Sequence, residues 1–410
     1  MTNPGLVVDG SATGNQDKPE AMLVILGAGA SHDCLPSTIG NGTSIGSPWN
    51  FGITVGDVRP PLTQQLAELG KLTNLFNGRW QSARSVISKL RATLQRNLGN
   101  SEGERVQTLE SALRNYEKWA LKDPVRQESL LAFRFYLRDL FNACTDLVHK
   151  PEVGGGDTNH VRLIDRVREW GTQNPNRTVT FVSFNYDLIL ETAMKACSSS
   201  FNPLELEDYV KDPLTRLLKP HGSACWYWWV NSPPTNANEK VLESMAAIAR
   251  PVSLPLENSA GKAIQMALNH GIDRSQIFPE KFGYNGTGDA IAEKLIPALA
   301  LPMDGKNEFV WPADQEKAFT DLSGSVTRLL TIGWRGLESH FVPLIPPLMN
   351  SSYKALVVAG GANGNQEASG ITTRIRGTLN HVKSDRWREF GKGFAKLVEG
   401  SEELEWFLKD

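Results

Sequence analysis

Short unbroken apolar runs alternate along this chain with longer stretches whose apolar residues recur every three to four positions. Met22–Leu26 and Ala355–Ala359 are runs of the first kind, Val179–Phe184 and Arg328–Ile332 are mostly apolar runs, and all four read as buried strands. Leu214–Leu218 predicts a shorter strand running into Pro220-His221. Helical spacing marks residues 160–171, Leu188–Ala196 and 312–322. Strand and helix in alternation predict an α/β fold built on a parallel, doubly wound sheet.

Two stretches interrupt the alternation. Residues 80–156 are helical by period. Ala83, Val86, Ile87, Leu90, Leu94 and Leu98 share one face, and Val106, Leu109, Leu113, Tyr116 and Ala120 form a second stripe. Leu130 to Leu147 is apolar on more than one side, the pattern of a helix buried between partners. Gly154-Gly155-Gly156 closes this insertion as a loop, and no strand precedes it to make a phosphate site. Residues 232–310 are rich in Pro and Gly and show no clear period, so they read as a second, irregular insertion. Residues 384–410 place Trp387, Phe390, Phe394, Leu397 and Trp406 on one side of an expected amphipathic C-terminal helix. The resulting division is a flexible tail over 1–20, a core assembled from 21–79, 157–231 and 311–383, the two insertions, and that helix.

Composition narrows the function classes. Hydrophobic residues make up 40% of the 410 and charged residues 21%, as in ordinary globular proteins. A formal net charge of −2 gives no global positive field, and no nucleic-acid motif is present. No apolar run is long enough to span a bilayer, and the Gly/Asn/Asp/Thr-rich first residues lack a secretory pattern, so a cytoplasmic protein is expected. The cysteines, Cys34, Cys144, Cys197 and Cys225, form no C-x-x-C pair. They predict reduced thiols and no structural zinc.

The candidate chemistry lies where the apolar runs end. Gly27-Ala28-Gly29-Ala30-Ser31 follows the first strand. A strand turning into a helix there would present free N–H groups, with glycines letting backbone approach a pyrophosphate and Ser31 available as helix N-cap. His32 stands where the dehydrogenase fingerprint has Gly, and no acidic residue closes the second strand, so that fingerprint is not met. Phe184-Asn185-Tyr186-Asp187 caps the next run: Asn185 offers donor and acceptor without charge, and Asp187 is placed to cap the following helix. Glu191, one turn on, reads as structural. His221-Gly222-Ser223 brings in an imidazole with an ordinary pKa of about 6.5, suited to moving a proton near neutrality. Ile332-Gly333-Trp334 follows the penultimate strand, with Glu338 shortly after, and Gly360-Gly361 follows the last. The two glycines suit either a pocket wall or a bare turn.

In this order the motifs resemble the sirtuin family, and more closely its divergent bacterial NAD-cleaving defence branch than its protein deacylases. Arg59-Pro60-Pro61-Leu62-Thr63 is similar to a Pro-Leu-Thr segment of that branch, and Ile296-Pro297-Ala298-Leu299-Ala300-Leu301-Pro302 to its Pro-rich stretch. Trp334 and Arg335 depart from the family's Gly-Tyr-Ser-like loop. The resemblance covers about half of the chain and neither insertion. It implies a Rossmann-like sheet that binds NAD+ as substrate. Gly27, Ala28, Gly29, Ala30, Ser31, Asp187, Gly222, Ser223, Gly333 and Trp334 would hold the dinucleotide, and Asn185 and His221 would act on the nicotinamide ribose or the attacking water. Whether His32, Asp187 or Glu338 joins the chemistry stays open.

Three functions remain: an NAD+ glycohydrolase, a catalytically quiet NAD or ADP-ribose sensor, and a protein deacylase. The missing cysteine pairs count against the last, and the presence of Asn185 with His221 favours the first. The resemblance further implies a homo-oligomer that works beside a HerA-like ATPase or another defence partner, with the helical insertion and C-terminal helix as candidate oligomer surfaces.

Overall fold

The computed structural model describes residues 19–40, 59–62, 65–66, 88, 109–151, 153, 155–231, 256–279, 293–303, 309–345, 353–379 and 384–409. The tail before residue 19, the glycine- and serine-rich stretch over 41–57, Thr63, the stripe from Ala83 to Leu98, Val106 and Gly154 lie outside the described residues.

Six strands form one parallel sheet: β1 (Glu20–Leu26), β2 (Arg177–Ser183), β3 (Arg216–Leu218), β7 (Val326–Ile332), β8 (Lys354–Val358) and β9 (Trp387–Phe390), in the order β3-β2-β1-β7-β8-β9. The chain steps outward from β1 through β2 to β3, then returns to the other side of β1 and steps outward again. This is the doubly wound order of a Rossmann-like fold, with its reversal between β1 and β7. At the centre, Val24 lies in register with Phe181 on one side and Leu330 on the other.

The period of two along each strand divides the core. Met22, Val24 and Leu26 face α4 (Asn159–Thr172), α5 (Ile189–Cys197) and the C-terminal residues Phe394 and Phe407. Ala21, Leu23 and Ile25 face the opposite cluster, which holds Phe319 of α8 (Ala313–Thr320) and Ile371 of α9 (Gly364–Leu379). Burial on both faces is why β1 is apolar at every position from Ala21 to Leu26.

A second sheet of three antiparallel strands, ordered β5-β4-β6, joins β4 (Gly222–Val230), β5 (Ile272–Pro279) and β6 (Leu295–Leu299). Helices α2 (Leu109–Ala120), α3 (Pro124–Val148) and α7 (Leu256–His270) pack on it, through Leu113, Phe133, Leu137 and Ile264 against Ala224, Val230 and Ile296. Asp123 starts α3 by accepting from Val125 N and Arg126 N, with Pro124 at the first helical position. The two insertions thus build one lobe together.

Three expectations are corrected here. The stretch over 232–310 is not irregular where it is described, since it contains α7, β5 and β6. Pro297 sits inside β6, which is tolerated because β6 is an edge strand. Residues 222–230 belong to the second sheet rather than to the core. Residues 384–410 are not one amphipathic helix: β9 completes the main sheet, and α10 (Phe394–Val398) and α11 (Glu402–Leu408) follow it. Trp387 and Phe390, three positions apart, fit a helical stripe in sequence, but in β9 they lie on opposite faces of the sheet, Trp387 in the cluster with Phe319 and Phe390 in the cluster with Phe394.

Candidate functional site

A cleft of about 620 Å³ opens at the carboxyl ends of the parallel strands. Its walls are the loops after β1, β2, β7, β8 and β9, His221 after β3, and residues of the second lobe that include Glu110 and Phe141. The volume falls within the range of small-molecule sites, and the position is the switch-point crevice of an open α/β sheet. Gly27, Ala28, Gly29, Ser31, Asn185, Asp187, His221, Gly333 and Trp334 all line it, so the motifs do converge. Glu338, His32, Gly360 and Gly361 line it too.

Ala30, Gly222 and Ser223 do not line it, which corrects their expected place in a binding site. Ala30 points into the core cluster under β1. Gly222 has φ +81, and a side chain there would run into the carbonyl of Ala298 on β6, so this glycine serves the junction between the sheets. Ser223 is fully buried and donates its hydroxyl to Glu191 at 2.8 Å.

The glycine loop also differs from expectation. Its helix, α1 (Ala28–His32), has five residues, and Gly27 rather than Ser31 stands at its N-cap. Gly27 N–H donates to Ile332 O (3.0 Å), Gly29 N–H to Gly333 O (3.1 Å), and Ala30 N–H to Gly27 O (2.9 Å). These amides are therefore not presented to a ligand. A Cβ on Gly27 would stand 2.6 Å from Gly333 O, and one on Gly29 would stand 2.8 Å from Gly333 Cα. The glycines let the β1 and β7 loops touch backbone to backbone.

The opposite rim uses side chains. Asn185 is buried, and its amide nitrogen donates to Gly27 O (2.9 Å) and to Ser31 Oγ (2.8 Å), which ties the two rims together. Its amide oxygen has no protein hydrogen bond among the described residues. Leu188, not Asp187, is the N-cap of α5, but from one residue before it Asp187 Oδ1 accepts from Ile189 N at 3.2 Å, the first helical amide. Oδ2 of Asp187 is buried in the cleft wall without a partner.

Beneath this rim lies an ion pair that the sequence reading did not anticipate. Lys219 and Glu191 have side chains fully shielded from solvent, with Nζ 2.7 Å from Glu191 Oε1. Nζ also donates to the main-chain carbonyl of Asp187 (2.8 Å), and Lys219 N–H donates to Gln315 Oε1 (2.8 Å). Burial pushes the Glu191 carboxyl up, against the Lys219 ammonium and the Ser223 hydroxyl, which pull it down. The structural reading of Glu191 holds, and its partner is the lysine that closes the buried run Leu217-Leu218. A charge ending an apolar strand was the available signal.

His221 is buried, with its ring edge-on to Phe184 (centroids 4.9 Å apart) and stacked near Tyr186 (6.3 Å). Its carbonyl accepts from Ala300 N at 2.9 Å. Phe184 stacks in turn on Trp334 at 5.7 Å. Trp334 is nearly inaccessible and donates Nε1–H to Glu338 Oε2 (2.6 Å), so it contributes an apolar wall and orients a carboxylate. His32 Nδ1 lies 3.0 Å from Pro60 O, which requires the proton on Nδ1.

All four cysteines are free thiols, three of them buried. Among the described residues no group of three or more His, Cys, Asp or Glu is placed to hold a metal ion, and no described helix is long and apolar enough to cross a membrane. No protein-family model matches the chain, and comparison with curated proteins finds no similar sequence. The functional reading therefore rests on the cleft and on the motif resemblance.

Proposed function

We propose that the chain is an NAD+ glycohydrolase that releases nicotinamide and ADP-ribose. The observation that carries this reading is the meeting of Asn185, Asp187 and His221 in one cleft, at the strand-order reversal of a doubly wound sheet. Crevices at that point suit dinucleotides, and the motif order resembles that of NAD-cleaving sirtuin-like proteins.

In the reaction, the bond between nicotinamide N1 and ribose C1′ breaks with its electron pair going to the leaving ring. Nicotinamide departs neutral and needs no acid. Positive charge develops on the ribose, and the carboxylates of Asp187 and Glu338 in the wall favour it electrostatically. Water forms the new C1′–O bond and gives its proton to the His221 imidazole. Asn185 fixes the rim on which the ribose rests, and its amide oxygen is suited to accept from a ribose hydroxyl or the water.

A second reading, a quiet NAD or ADP-ribose sensor, is favoured by one observation: the Asn185 amide nitrogen makes two hydrogen bonds within the fold, to Gly27 O and Ser31 Oγ. Incubating the purified chain with NAD+ and measuring nicotinamide separates the two. Binding without release supports the sensor, and release supports the hydrolase. The resemblance also suggests a cytoplasmic homo-oligomer restrained until a HerA-like ATPase or another defence partner engages it, so the assay is run with and without the product of the neighbouring gene.

A further inference from the structure

Arg59 has its side chain 9% exposed and forms part of the cleft wall with Pro60, Pro61 and Leu62. Nη1 donates to the carbonyl of His32 (2.9 Å) and stands 3.9 Å from Asp33 Oδ1. Among the described residues, Nε is buried without a hydrogen-bond partner, and Nη1 is the one guanidinium nitrogen that is engaged. The free edge is therefore the one on which Nε–H and Nη2–H run parallel. Elsewhere in the chain Arg162 uses this same edge on a carboxylate, with Nε 3.1 Å and Nη2 2.7 Å from the two oxygens of Asp157.

A desolvated guanidinium with an open fork calls for an oxyanion. No nearby carboxylate reaches Nε: Asp33 Oδ1 stands 3.9 Å from Nη1, and Asp187 Oδ2 makes no hydrogen bond to the guanidinium. Asp33 Oδ2 is held by Ala395 N at 3.0 Å, and Asp187 Oδ1 by Ile189 N at 3.2 Å. The glycine loop offers less than the usual alternative for a phosphate, because the amides of Gly27, Gly29 and Ala30 are bound within the fold. Resting on the reading of the cleft as a dinucleotide site, we propose that Arg59 is its diphosphate ligand. Nε–H and Nη2–H donate to two oxygens of one phosphate, while Nη1 stays on His32 O. Phosphate recognition thus passes from the glycine loop to a side chain on the segment that covers it.

Calorimetric titration of the full chain tests this with three probes: ADP-ribose, inorganic pyrophosphate, and nicotinamide riboside, which has no phosphate. Arg59→Gln is expected to weaken ADP-ribose binding on the order of 10- to 100-fold and to leave the riboside unchanged. Arg59→Lys keeps the charge and loses the fork, so it should fall between the two, and it serves if the Gln variant does not fold. Unchanged ADP-ribose affinity in the folded variants overturns the proposal. So does an equal loss for the riboside, which would mark a collapsed wall, or a wild-type chain that binds none of the probes. A wild-type chain that binds pyrophosphate through Arg59 but neither ADP-ribose nor NAD+ keeps the anion fork and overturns the dinucleotide reading instead.

Discussion

The two rims of the cleft carry the same outward signature, small or polar residues after a buried strand, and they use it in opposite ways. On the β1–β7 rim the glycines serve the fold: Gly27, Gly29 and Gly333 let two loops pack backbone to backbone, and their amides bond across that contact. On the β2–β3 rim the side chains of Asn185, Asp187 and His221 reach the cleft, held from below by the Lys219–Glu191 pair. A motif that looks like a ligand cradle can be a packing device, while the polar side chains that line the cleft sit across the opening.

The largest expected effect separates the rims directly. His221→Ala should lower NAD+ turnover on the order of 100- to 10,000-fold with little change in melting temperature. Asn185→Ala should lower both, because it also removes the hydrogen bonds to Gly27 O and Ser31 Oγ. Turnover assays paired with thermal melts check this, and a His221→Ala protein with wild-type turnover would remove that rim from the chemistry.

Next comes the ion pair. Lys219→Met leaves the Glu191 carboxyl buried without its cation, a change that typically costs about 3–5 kcal/mol. The double variant Lys219→Met/Glu191→Leu should recover part of the loss in denaturant unfolding. A single variant as stable as the wild type would mean that the pair does not hold the rim.

On the glycine rim the expected losses are of stability. Gly333 has φ +58, and a side chain there would meet Gly29 Cα at 2.6 Å. Gly361 has φ +84 with nothing within 4 Å of the added Cβ. Gly361→Ala should therefore cost roughly 1–2 kcal/mol for backbone strain alone, and Gly333→Ala measurably more. Gly29→Val belongs with Gly333→Ala: its side chain would intrude on Gly333 rather than on a ligand, so lost NAD+ binding should come with a lowered melting temperature. Equal melting temperatures for Gly333→Ala and Gly361→Ala would refute the packing role.

The effect that is smallest at neutral pH is a pH slope from below the sheet. His160 is fully buried beside Phe394, and desolvation, with smaller effects of His149 and Lys219, pushes its pKa down to about 3 from 6.5. Between those values the unfolded chain binds a proton that the folded chain does not. Its stabilising contribution is thus complete above pH 6.5 and is lost as pH falls toward 3, by roughly 1 kcal/mol per pH unit. His160→Phe should flatten that part of the stability curve, and an unchanged slope would deny His160 this role.

The strands were legible because burial on both faces leaves unbroken apolar runs, as in Met22–Leu26. The convergence of the motifs was legible because all follow strands of one parallel sheet. What each motif residue touches was not. Ser223 and Gly222 share a triplet with His221, yet they turn into the junction with the second sheet. Pro297 concealed β6, and the three-residue spacing of Trp387 and Phe390 fits a helical stripe although a short strand buries them on opposite faces. For Lys219 only a charge ending an apolar run, and for Arg59 only its place in Arg59-Pro60-Pro61-Leu62-Thr63, is visible in sequence; the importance of both lies in burial that only the packed fold creates.

The central claim is that the β2–β3 rim cleaves the nicotinamide–ribose bond. Its most direct test is chromatographic analysis of NAD+ incubated with the purified chain, alone and with the neighbouring gene's product, for wild type and His221→Ala side by side. The account predicts equimolar nicotinamide and ADP-ribose from the wild type under at least one condition, and almost none from the variant at equal melting temperature. No nicotinamide under either condition, or equal release by the variant, would contradict it.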